Sequence, residues 1–425
     1  MNYLDFVVTA QKKGEARGVT SVCSAHPFVL EAALLYGLAH NTPVLIEATC
    51  NQVNQFGGYT GMTPADFVRF VGEIADRVGF PRNNLILGGD HLGPLVWSNE
   101  PASLAMDKAR ILVRDYVLAG YSKIHLDCSM PCVDDSELPV ELVARRAAEL
   151  AREAELACAR QGLPLPRYVV GTEVPPAGGA RAEDNHLTVT DPADAAVTLE
   201  FARKAFIALG LESAWDRVLA LVVQPGVEFG DATIHDYDRT AASGLARFIE
   251  TVPGLIYEAH STDYQTLGSL CNLMEDHFGI LKVGPALTFA FREAVFALAE
   301  MEEILVKDSP SRIRETLAAA MEENPTHWQK HYGGTPEQQE FSRFYSFSDR
   351  IRYYWTLPEV QSALEQLLKN LGDAPLPLSL LSEYMPFQYE KIRKGTLNNH
   401  PRSLLLDKIE DVLNIYAIAC GECSA

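Results

Sequence analysis

The chain has 425 residues and is 47% hydrophobic and 22% charged, which is typical of a large globular core and excludes a disordered or fibrous protein. Its formal net charge of −20 and its pI near 5.0 repel nucleic acid and anionic membrane surfaces over most of the molecule. No window approaches the roughly 18 unbroken apolar residues that a membrane helix needs, so no membrane span is expected.

The N-terminal residues and the cysteines indicate a cytoplasmic protein. The chain starts with the early acid Asp5 and lacks the basic start, apolar stretch and cleavage site of a signal peptide. Eight cysteines are scattered without a regular spacing, as expected of reduced thiols. Two close pairs, Cys128 with Cys132 and Cys420 with Cys423, have no second pair nearby and are interpreted as plain thiols rather than as zinc or redox motifs.

Short apolar segments, each followed by a helical stretch, recur along the first two thirds of the chain. There are eight of them: Val19–Cys23, Val44–Ala48, Leu85–Gly89, Lys123–Asp127, Tyr168–Glu173, Val218–Gln224, Leu255–Glu258 and Ile280–Val283. This alternation predicts parallel strands joined by right-handed crossovers. Eight units favour an α/β fold of the (β/α)₈ TIM-barrel type over a doubly wound sheet, which would carry a G-x-G-x-x-G fingerprint after its first strand.

Apolar residues at three- and four-residue spacing predict helices between and after the strands. The predicted helices are Thr63–Val78, Val140–Ala159, Phe289–Lys307, Ser309–Glu323, Pro358–Asn370 and Ser403–Ala419. Thr63-Pro64 and Ser309-Pro310 are interpreted as N-caps followed by a first-turn proline. We expect residues 1–307 to form the barrel and residues 308–425 to form a helical C-terminal extension.

Ionisable side chains follow seven of the eight predicted strands, where a barrel of this type carries its active site. Because a buried charge is costly unless it is paired or bound to a metal, so many of them indicate a functional site, although each one alone has a structural interpretation. The catalytic candidates are Asp90, Asp127 and Glu173; the metal-ligand candidates are His91, His260 and Glu228; the substrate or phosphate candidates are Glu47, Gly58, Ser129, Lys282 and Gly284.

Two histidines, His91 and His260, are expected on opposite sides of the barrel opening, with carboxylates between them. A mixed set of nitrogen and oxygen ligands suits zinc or another divalent ion, which would act as a Lewis acid on a carbonyl oxygen while Asp90 moves the proton. The alternative is that the two histidines only hydrogen-bond to Asp127 or Glu258 and brace the loops. His125 shares a strand face with Asp127 and is predicted to support the site rather than to bind the metal.

Glycine and proline placement suggests where a phosphate could bind. The loop Gly57–Gly61, which contains Gly58, precedes a helix start, and Gly284-Pro285 follows the eighth strand, a region that often holds phosphate in barrels. The basic stretch Arg350–Trp355 could also cap a phosphate, but an exposed helix face or a subunit contact is the favoured interpretation.

Several long sequence blocks closely resemble the GatZ/KbaZ family, the Z-type subunits of class II D-tagatose-1,6-bisphosphate aldolase. These blocks are Ser24–Pro27, Ile46–Pro64, Gly88–Pro94, Glu258–Tyr264, Lys282–Thr288 and Ser348–Trp355. The resemblance implies an oligomer with a Y-type catalytic subunit, whose activity and stability this chain would support in galactitol and N-acetylgalactosamine catabolism. An older name for such chains, tagatose-6-phosphate kinase, finds no Walker loop or kinase signature here.

The family is itself similar to catalytic class II aldolases, which allows a comparison by position. Their proton-transfer acid and adjacent metal ligand fall on Asp90 and His91, and a later metal-binding histidine falls on His260. After the sixth strand those enzymes carry another histidine, whereas this chain has Val227–Phe229, with Glu228 in the middle. The resemblance therefore implies a zinc site only if Glu228 or Glu173 replaces the missing ligand.

Three functions follow from the sequence. The first is the non-catalytic partner of a Y-type aldolase subunit. The second is an enzyme in its own right, a metal-dependent aldolase or a C4 epimerase of ketohexoses or their phosphates that works by retro-aldol cleavage. The third is a sugar-phosphate-binding barrel without a partner and without turnover. The sequence leaves open which ketohexose is bound and whether a Y-type partner exists.

Overall fold

A computed structural model describes residues 2–171, 187–372 and 374–422 of the chain. Its strands are β1 Val19–Val22, β2 Val44–Thr49, β3 Leu85–Leu92, β4 Lys123–Leu126, β5 Arg167–Gly171, β6 Val218–Val222, β7 Glu228–Phe229, β8 Ile234–His235, β9 Ile256–Ala259 and β10 Phe278–Val283. Eight of these strands form a closed parallel barrel in the order β1-β10-β9-β6-β5-β4-β3-β2, while β7 and β8 form a small antiparallel hairpin. The predicted (β/α)₈ fold is confirmed, and each predicted strand corresponds to one barrel strand.

The helices that surround the barrel and continue beyond it account for most of the remaining chain. They are α1 Tyr3–Lys12, α2 Pro27–His40, α3 Pro64–Val78, α4 Ala102–Leu118, α5 Val140–Gln161, α6 Pro192–Ala208, α7 Glu212–Trp215, α8 Arg239–Glu250, α9 Leu267–Glu275, α10 Pro285–Leu305, α11 Ile313–Glu323, α12 Pro336–Tyr345, α13 Pro358–Leu371, α14 Leu378–Tyr384, α15 Pro386–Arg393 and α16 Pro401–Ala419. None of the described helices combines the length and the apolar character that crossing a bilayer requires.

Two of the helix starts test the N-cap predictions. Thr63 caps α3 as predicted, in a capping box with Asp66. The prediction for Ser309 is wrong, since α11 begins at Ile313. The backbone of Ser309 is left-handed, and the backbone amide of Ser311 donates to Glu302 in α10, so this segment is tied to the preceding helix before α11 can start.

The interior of the barrel is apolar at its N-terminal end. Leu45, Val169, Ile256 and Ile280 pack there in one cluster with Leu4 of α1, which closes that end of the barrel. Because side chains alternate between the two faces of a strand, the residues two positions further along point to the same interior. The polar candidates at the other end therefore rest on an apolar floor.

The last long helix, α16, packs directly onto the barrel wall. The Tyr416 hydroxyl donates to the carbonyl oxygen of Thr262 at 2.6 Å, and the Gly18 amide just before β1 donates to the carbonyl oxygen of Cys420 at 3.0 Å. A helix from the predicted extension thus contributes to the helical layer around the barrel. The boundary at residue 307 remains a prediction.

We expect Tyr416→Phe to lower the free energy of unfolding by about 1–3 kcal/mol, because the buried carbonyl of Thr262 loses its donor. Tyr389→Phe is the matched control, since the Tyr389 hydroxyl accepts a hydrogen bond from the exposed side chain of Arg393. Denaturant unfolding followed by circular dichroism measures both variants. Equal losses in the two variants would contradict a docking role for Tyr416.

Candidate active site

A buried ion-pair layer lies directly above the apolar floor. The ammonium group of Lys123 in β4 lies 2.7 Å from Glu47 Oε1 and 2.7 Å from Glu258 Oε2, and all three side chains are fully buried. The Ser21 hydroxyl donates to Glu47 Oε1 at 2.6 Å. Four strands, β1, β2, β4 and β9, are therefore joined through one cation and two carboxylates.

A second buried lysine, Lys282 of β10, connects this layer to the cavity above it. Its Nζ contacts Asp90 Oδ1 and lies 3.7 Å from Glu258 Oε1 and 3.9 Å from Glu47 Oε2. Burial lowers the pKa of Lys282, but Asp90 and the other nearby anions raise that pKa well above its usual value. Burial likewise lowers the pKa of Lys123, while Glu258 and Glu47 raise it to a net value above the usual one. Both lysines therefore remain cations.

Three histidines form a triangle above the lysines. The ring centroids of His91 and His125 are 5.0 Å apart, those of His91 and His260 are 5.0 Å apart, and those of His125 and His260 are 5.1 Å apart. They come from β3, from β4 and from the loop after β9. Barrel closure thus brings together three imidazole rings that are separated by up to 169 positions in sequence (91 to 260).

Asp90 and His91 are neighbours in sequence, yet both side chains line the same cavity. The register of β3 against β4 shifts between Gly89 and Leu92, and His91 has a left-handed backbone with φ of 49°. A bulge of this kind breaks the alternation of a strand and redirects a side chain, and strained backbone is concentrated at functional sites. The local geometry of β3 therefore serves the cavity rather than the sheet.

The imidazole of His91 is fixed from behind by Asp127. His91 Nδ1 lies 2.9 Å from Asp127 Oδ2, while Asp127 Oδ1 accepts hydrogen bonds from the Ser129 amide at 2.9 Å and the Ser129 hydroxyl at 2.6 Å. Burial raises the pKa of Asp127, but the hydrogen bond with His91 opposes this effect, and the net result is a pKa below the usual range. Such a carboxylate sets the tautomer and the orientation of an imidazole that binds a metal.

His125 carries a buried nitrogen that is available to a ligand. Its Nδ1 lies 3.0 Å from Asp90 Oδ1, and that carboxylate favours the Nδ1–H tautomer over the competing contact with the His91 amide at 3.2 Å. Its Nε2 has no hydrogen-bond partner among the described residues. Burial lowers the pKa of His125, which keeps the ring neutral.

The donor groups fit a divalent cation. Within the described parts of the chain, ligand atoms of Asp90, His125, Glu258 and His260 all lie within 4.8 Å of one another. The surrounding buried cluster holds four carboxylates, which are Glu47, Asp90, Asp127 and Glu258, against the two ammonium groups of Lys123 and Lys282. With neutral histidines two negative charges remain, which is the charge that one divalent cation would compensate.

The cavity above these groups has a volume of about 130 Å³. Asp90, His91, His260 and Lys282 line its inner end. Its rim includes Tyr59 and Thr60 from the loop after β2, and also Arg352, Tyr353 and Thr356 from the segment between α12 and α13. The opening is therefore built from the barrel and from the region predicted to be an extension.

The structure brings together some of the predicted site residues and separates others. Asp90, His91, His260, Lys282 and Gly284 line the cavity; Asp127 and Ser129 lie behind His91; Glu47 lies below in the ion-pair layer; Gly58 precedes Tyr59 in the rim. Glu228 is buried, and its Oε1 accepts from the Phe229 amide, but it is not in the group of clustered ligand atoms. Its role as a metal ligand remains a prediction. Glu173 lies outside the described residues.

The two glycines of the predicted phosphate site, Gly58 and Gly284, have structural roles that do not involve an external anion. The amides of Gly284 and Ala286, at the start of α10, donate to Asp263 Oδ1 at 2.9 and 2.8 Å, so a carboxylate already occupies that helix end. Gly58 has φ of 55°, and a Cβ atom there would lie 2.3 Å from the carbonyl oxygen of Gln52. Gly58 thus permits a tight turn that positions Tyr59.

Sequence reasoning missed Lys123 and Glu258 as site residues and assigned His125 only a supporting role. The signal that could have found them is the period of two along each strand. Glu258 follows the interior residue Ile256 by two positions and precedes His260 by two, and Lys123 precedes His125 in the same way. What the pattern does not reveal is which strands face one another across the interior.

The chain is similar to known proteins over nearly its whole length. A family model described as D-tagatose-1,6-bisphosphate aldolase subunit GatZ/KbaZ-like matches residues 4–421. A solved structure of a probable tagatose 6 phosphate kinase from Sinorhizobium meliloti 1021 is 45% identical, covers 95% of this chain and 100% of its own, and superposes with a TM-score of 0.89. A fructose-bisphosphate aldolase from Campylobacter jejuni is 14% identical, with coverages of 87% and 91% and a TM-score of 0.46, which is too distant to bear on the site.

We expect Lys123→Met to lower the free energy of unfolding by about 3–5 kcal/mol, because Glu47 and Glu258 would be left buried without their shared cation. Lys204→Met is the matched control, since Lys204 forms an exposed pair with Glu200 and should change stability by less than about 1 kcal/mol. Thermal and denaturant unfolding of both variants measure the difference. Small and equal changes would show that the layer does not depend on Lys123.

Proposed function

Because the chain belongs to the GatZ/KbaZ-like family of D-tagatose-1,6-bisphosphate aldolase subunits, we propose that it binds a phosphorylated ketohexose in the barrel cavity as the Z-type subunit of a class II aldolase. Its partner is a Y-type catalytic subunit, whose activity and stability it supports in galactitol and N-acetylgalactosamine catabolism. The observation that carries the proposal is the cavity lined by Asp90, His91, His260 and Lys282, in a chain that matches the family model over nearly its whole length.

We propose further that the cavity holds a divalent metal, zinc in the first instance. The residues that would hold it are Asp90, His125, Glu258 and His260, whose ligand atoms are clustered, with His91 beside them, and the buried Nε2 of His125 fits such a role. A bound zinc ion would supply Lewis-acid polarisation of the substrate carbonyl. Since two of the four clustered donors are imidazole nitrogens, the set suits zinc better than magnesium or calcium, which prefer oxygen ligands.

The chain's own residues can perform the proton transfer of a retro-aldol cleavage. The carboxylate of Asp90 faces the cavity and is held between Lys282 and His125. It would accept the proton of the C4 hydroxyl as the C3–C4 bond breaks and the C4 carbonyl forms, while the electron pair of that bond passes toward C2. Lys282 holds Asp90 in its charged form and orients it toward the cavity.

A second candidate function is intrinsic catalysis, as an aldolase or as a C4 epimerase of ketohexoses or their phosphates. The observation that favours it is the complete cluster of three histidines, four carboxylates and two lysines within this one chain. Burying so many ionisable groups lowers the stability of the fold, and a purely supporting subunit has no chemical need for them. Epimerisation requires only that the aldehyde formed by cleavage is attacked again on its other face.

Metal binding can be measured on the chain alone. We expect about one zinc ion per chain by mass spectrometry after dialysis, and an affinity at least about 10-fold weaker in His125→Ala. His40→Ala is the control, because His40 is exposed at the end of α2 and stacks on Tyr36. Unchanged zinc binding in His125→Ala would exclude His125 as a ligand.

Turnover is measured with the chain alone and with a Y-type subunit, as cleavage of tagatose 1,6-bisphosphate and as interconversion of fructose and tagatose phosphates. If the partner role holds, the chain raises and stabilises the activity of the Y-type subunit. If intrinsic catalysis holds, the isolated chain turns over, and Asp90→Asn lowers kcat by about 10²–10⁴-fold, whereas Asp107→Asn on the surface does not. A chain that neither turns over substrate nor affects the Y-type subunit would refute both functions.

A further inference from the structure

The rim segment, Asp349–Trp355, lies beyond the barrel in sequence and brings Arg352 and Tyr353 to the cavity. It is anchored on both sides: Asp349 Oδ2 accepts from the Thr288 hydroxyl of α10, and the Arg350 amide donates to the Tyr332 hydroxyl at 3.1 Å. These buried contacts fix the segment relative to the barrel. Its position at the cavity is therefore a property of the fold rather than of a loose loop.

Tyr353 is clamped between rings at the centre of the rim segment. Its ring stacks on His327 with centroids 4.7 Å apart and meets Tyr59 edge to face at 4.7 Å. The guanidinium of Arg352 lies 4.6 Å from the centre of the same ring, and Arg352 Nη2 donates to the Tyr353 hydroxyl at 3.0 Å. This packing restricts the rotamers of Arg352 before any ligand arrives.

Arg352, which lines the cavity, retains hydrogen-bonding capacity that no described residue uses. Its Nη1 donates to the carbonyl oxygens of Ser348 and Asp349, and its Nη2 donates once, to Tyr353. A guanidinium has five N–H donors, so two of them, including the one on Nε, have no acceptor among the described residues. Two N–H groups on one guanidinium can donate a pair of hydrogen bonds to a phosphate or a carboxylate.

Among the described residues Arg352 forms no close ion pair, unlike several other arginines, although the carboxylates of Asp349 and Asp263 interact with it from a greater distance. Arg146 pairs with Asp135 at 2.7 Å and Arg217 pairs with Glu155 at 2.6 Å, whereas no carboxylate of the described residues lies within 4.0 Å of the Arg352 nitrogens. In a protein with a net charge of −20, a partly buried arginine with no carboxylate at ion-pair distance is unusual. Its burial is costly unless an anion joins it.

The alternative phosphate positions in this cavity are weaker. The first amides of α10 already bind Asp263, and Lys282 is engaged by Asp90 deep in the interior. Arg352 lines the same cavity as His91 and His260, so one molecule could reach both the rim and the histidines.

We propose that Arg352, held in place by Tyr353, binds a phosphate group of the ketohexose and thereby makes the rim segment the selector of phosphorylated over free sugar. The proposal rests on the proposed function of the cavity and adds to it a binding residue and a basis for substrate selection. Arg352 is a binding residue that contacts the substrate; Tyr353 is a positioning residue that acts through it.

The test is calorimetric titration of the zinc-loaded full-length chain with tagatose 1,6-bisphosphate, with free tagatose and with inorganic phosphate. We expect Arg352→Gln to weaken binding of the bisphosphate and of inorganic phosphate by about 10- to 100-fold and to leave the weak binding of free tagatose unchanged. Arg352→Lys should retain part of the phosphate affinity because it keeps the positive charge, and it should lose the rest because an ammonium group lacks the paired N–H donors of a guanidinium. Arg393→Gln is the matched control, since Arg393 also donates to a tyrosine hydroxyl, Tyr389, but on the outer surface.

The outcomes separate this inference from the proposed function. Tight bisphosphate binding that Arg352→Gln leaves unchanged would overturn the inference and leave the proposed function standing. A wild-type chain that binds neither sugar would refute the proposed function, and inorganic phosphate would then decide the inference by whether its binding depends on Arg352. Circular dichroism of Arg352→Gln and of the milder Arg352→Lys distinguishes loss of binding from loss of folding. Weakened phosphate binding by a folded Arg352→Lys variant supports the inference. Unchanged phosphate binding by that variant overturns it.

Discussion

The ammonium group of Lys123, shared between Glu47 and Glu258 in the fully buried centre of the barrel, is the interaction on which the site depends. It joins carboxylates from strands that lie far apart in sequence and makes it tolerable to bury them. Lys282 and Asp90 are placed on top of this layer, and the three histidines are placed above them. The positions of Lys282, Asp90 and the histidines therefore depend on the charge balance around Lys123.

The fold was predictable because the barrel strands are short apolar runs separated by helical stretches, and strand and helix differ clearly in their periods. The same alternation placed Asp90, His91, His260 and Lys282 at strand ends, where they line the cavity. The start of α11 was not predictable, since it depends on the contact between Ser311 and Glu302 of the preceding helix rather than on the Ser-Pro signal.

The missing parts of the site prediction share one physical cause. A strand pattern tells which residues face inward, but not which residues meet across a closed barrel. His125 was assigned a supporting role because it was considered beside Asp127 on its own strand, whereas the structure places its ring 5.1 Å from that of His260. In the same way Gly284 suggested an anion site, but in the structure the amides of Gly284 and Ala286 already donate to the side chain of Asp263.

The docking of α16 has a consequence for the order in which the molecule can form. Cys420 contacts the backbone of Gly18, and Tyr416 contacts the loop after β9, so the wall beside the first strand is completed by a segment about 400 residues further along the chain. Contacts between such distant segments slow folding, because the intervening chain must be ordered before they form. During synthesis the early strands form before α16 exists, so the apolar surface that α16 covers stays exposed until that helix docks.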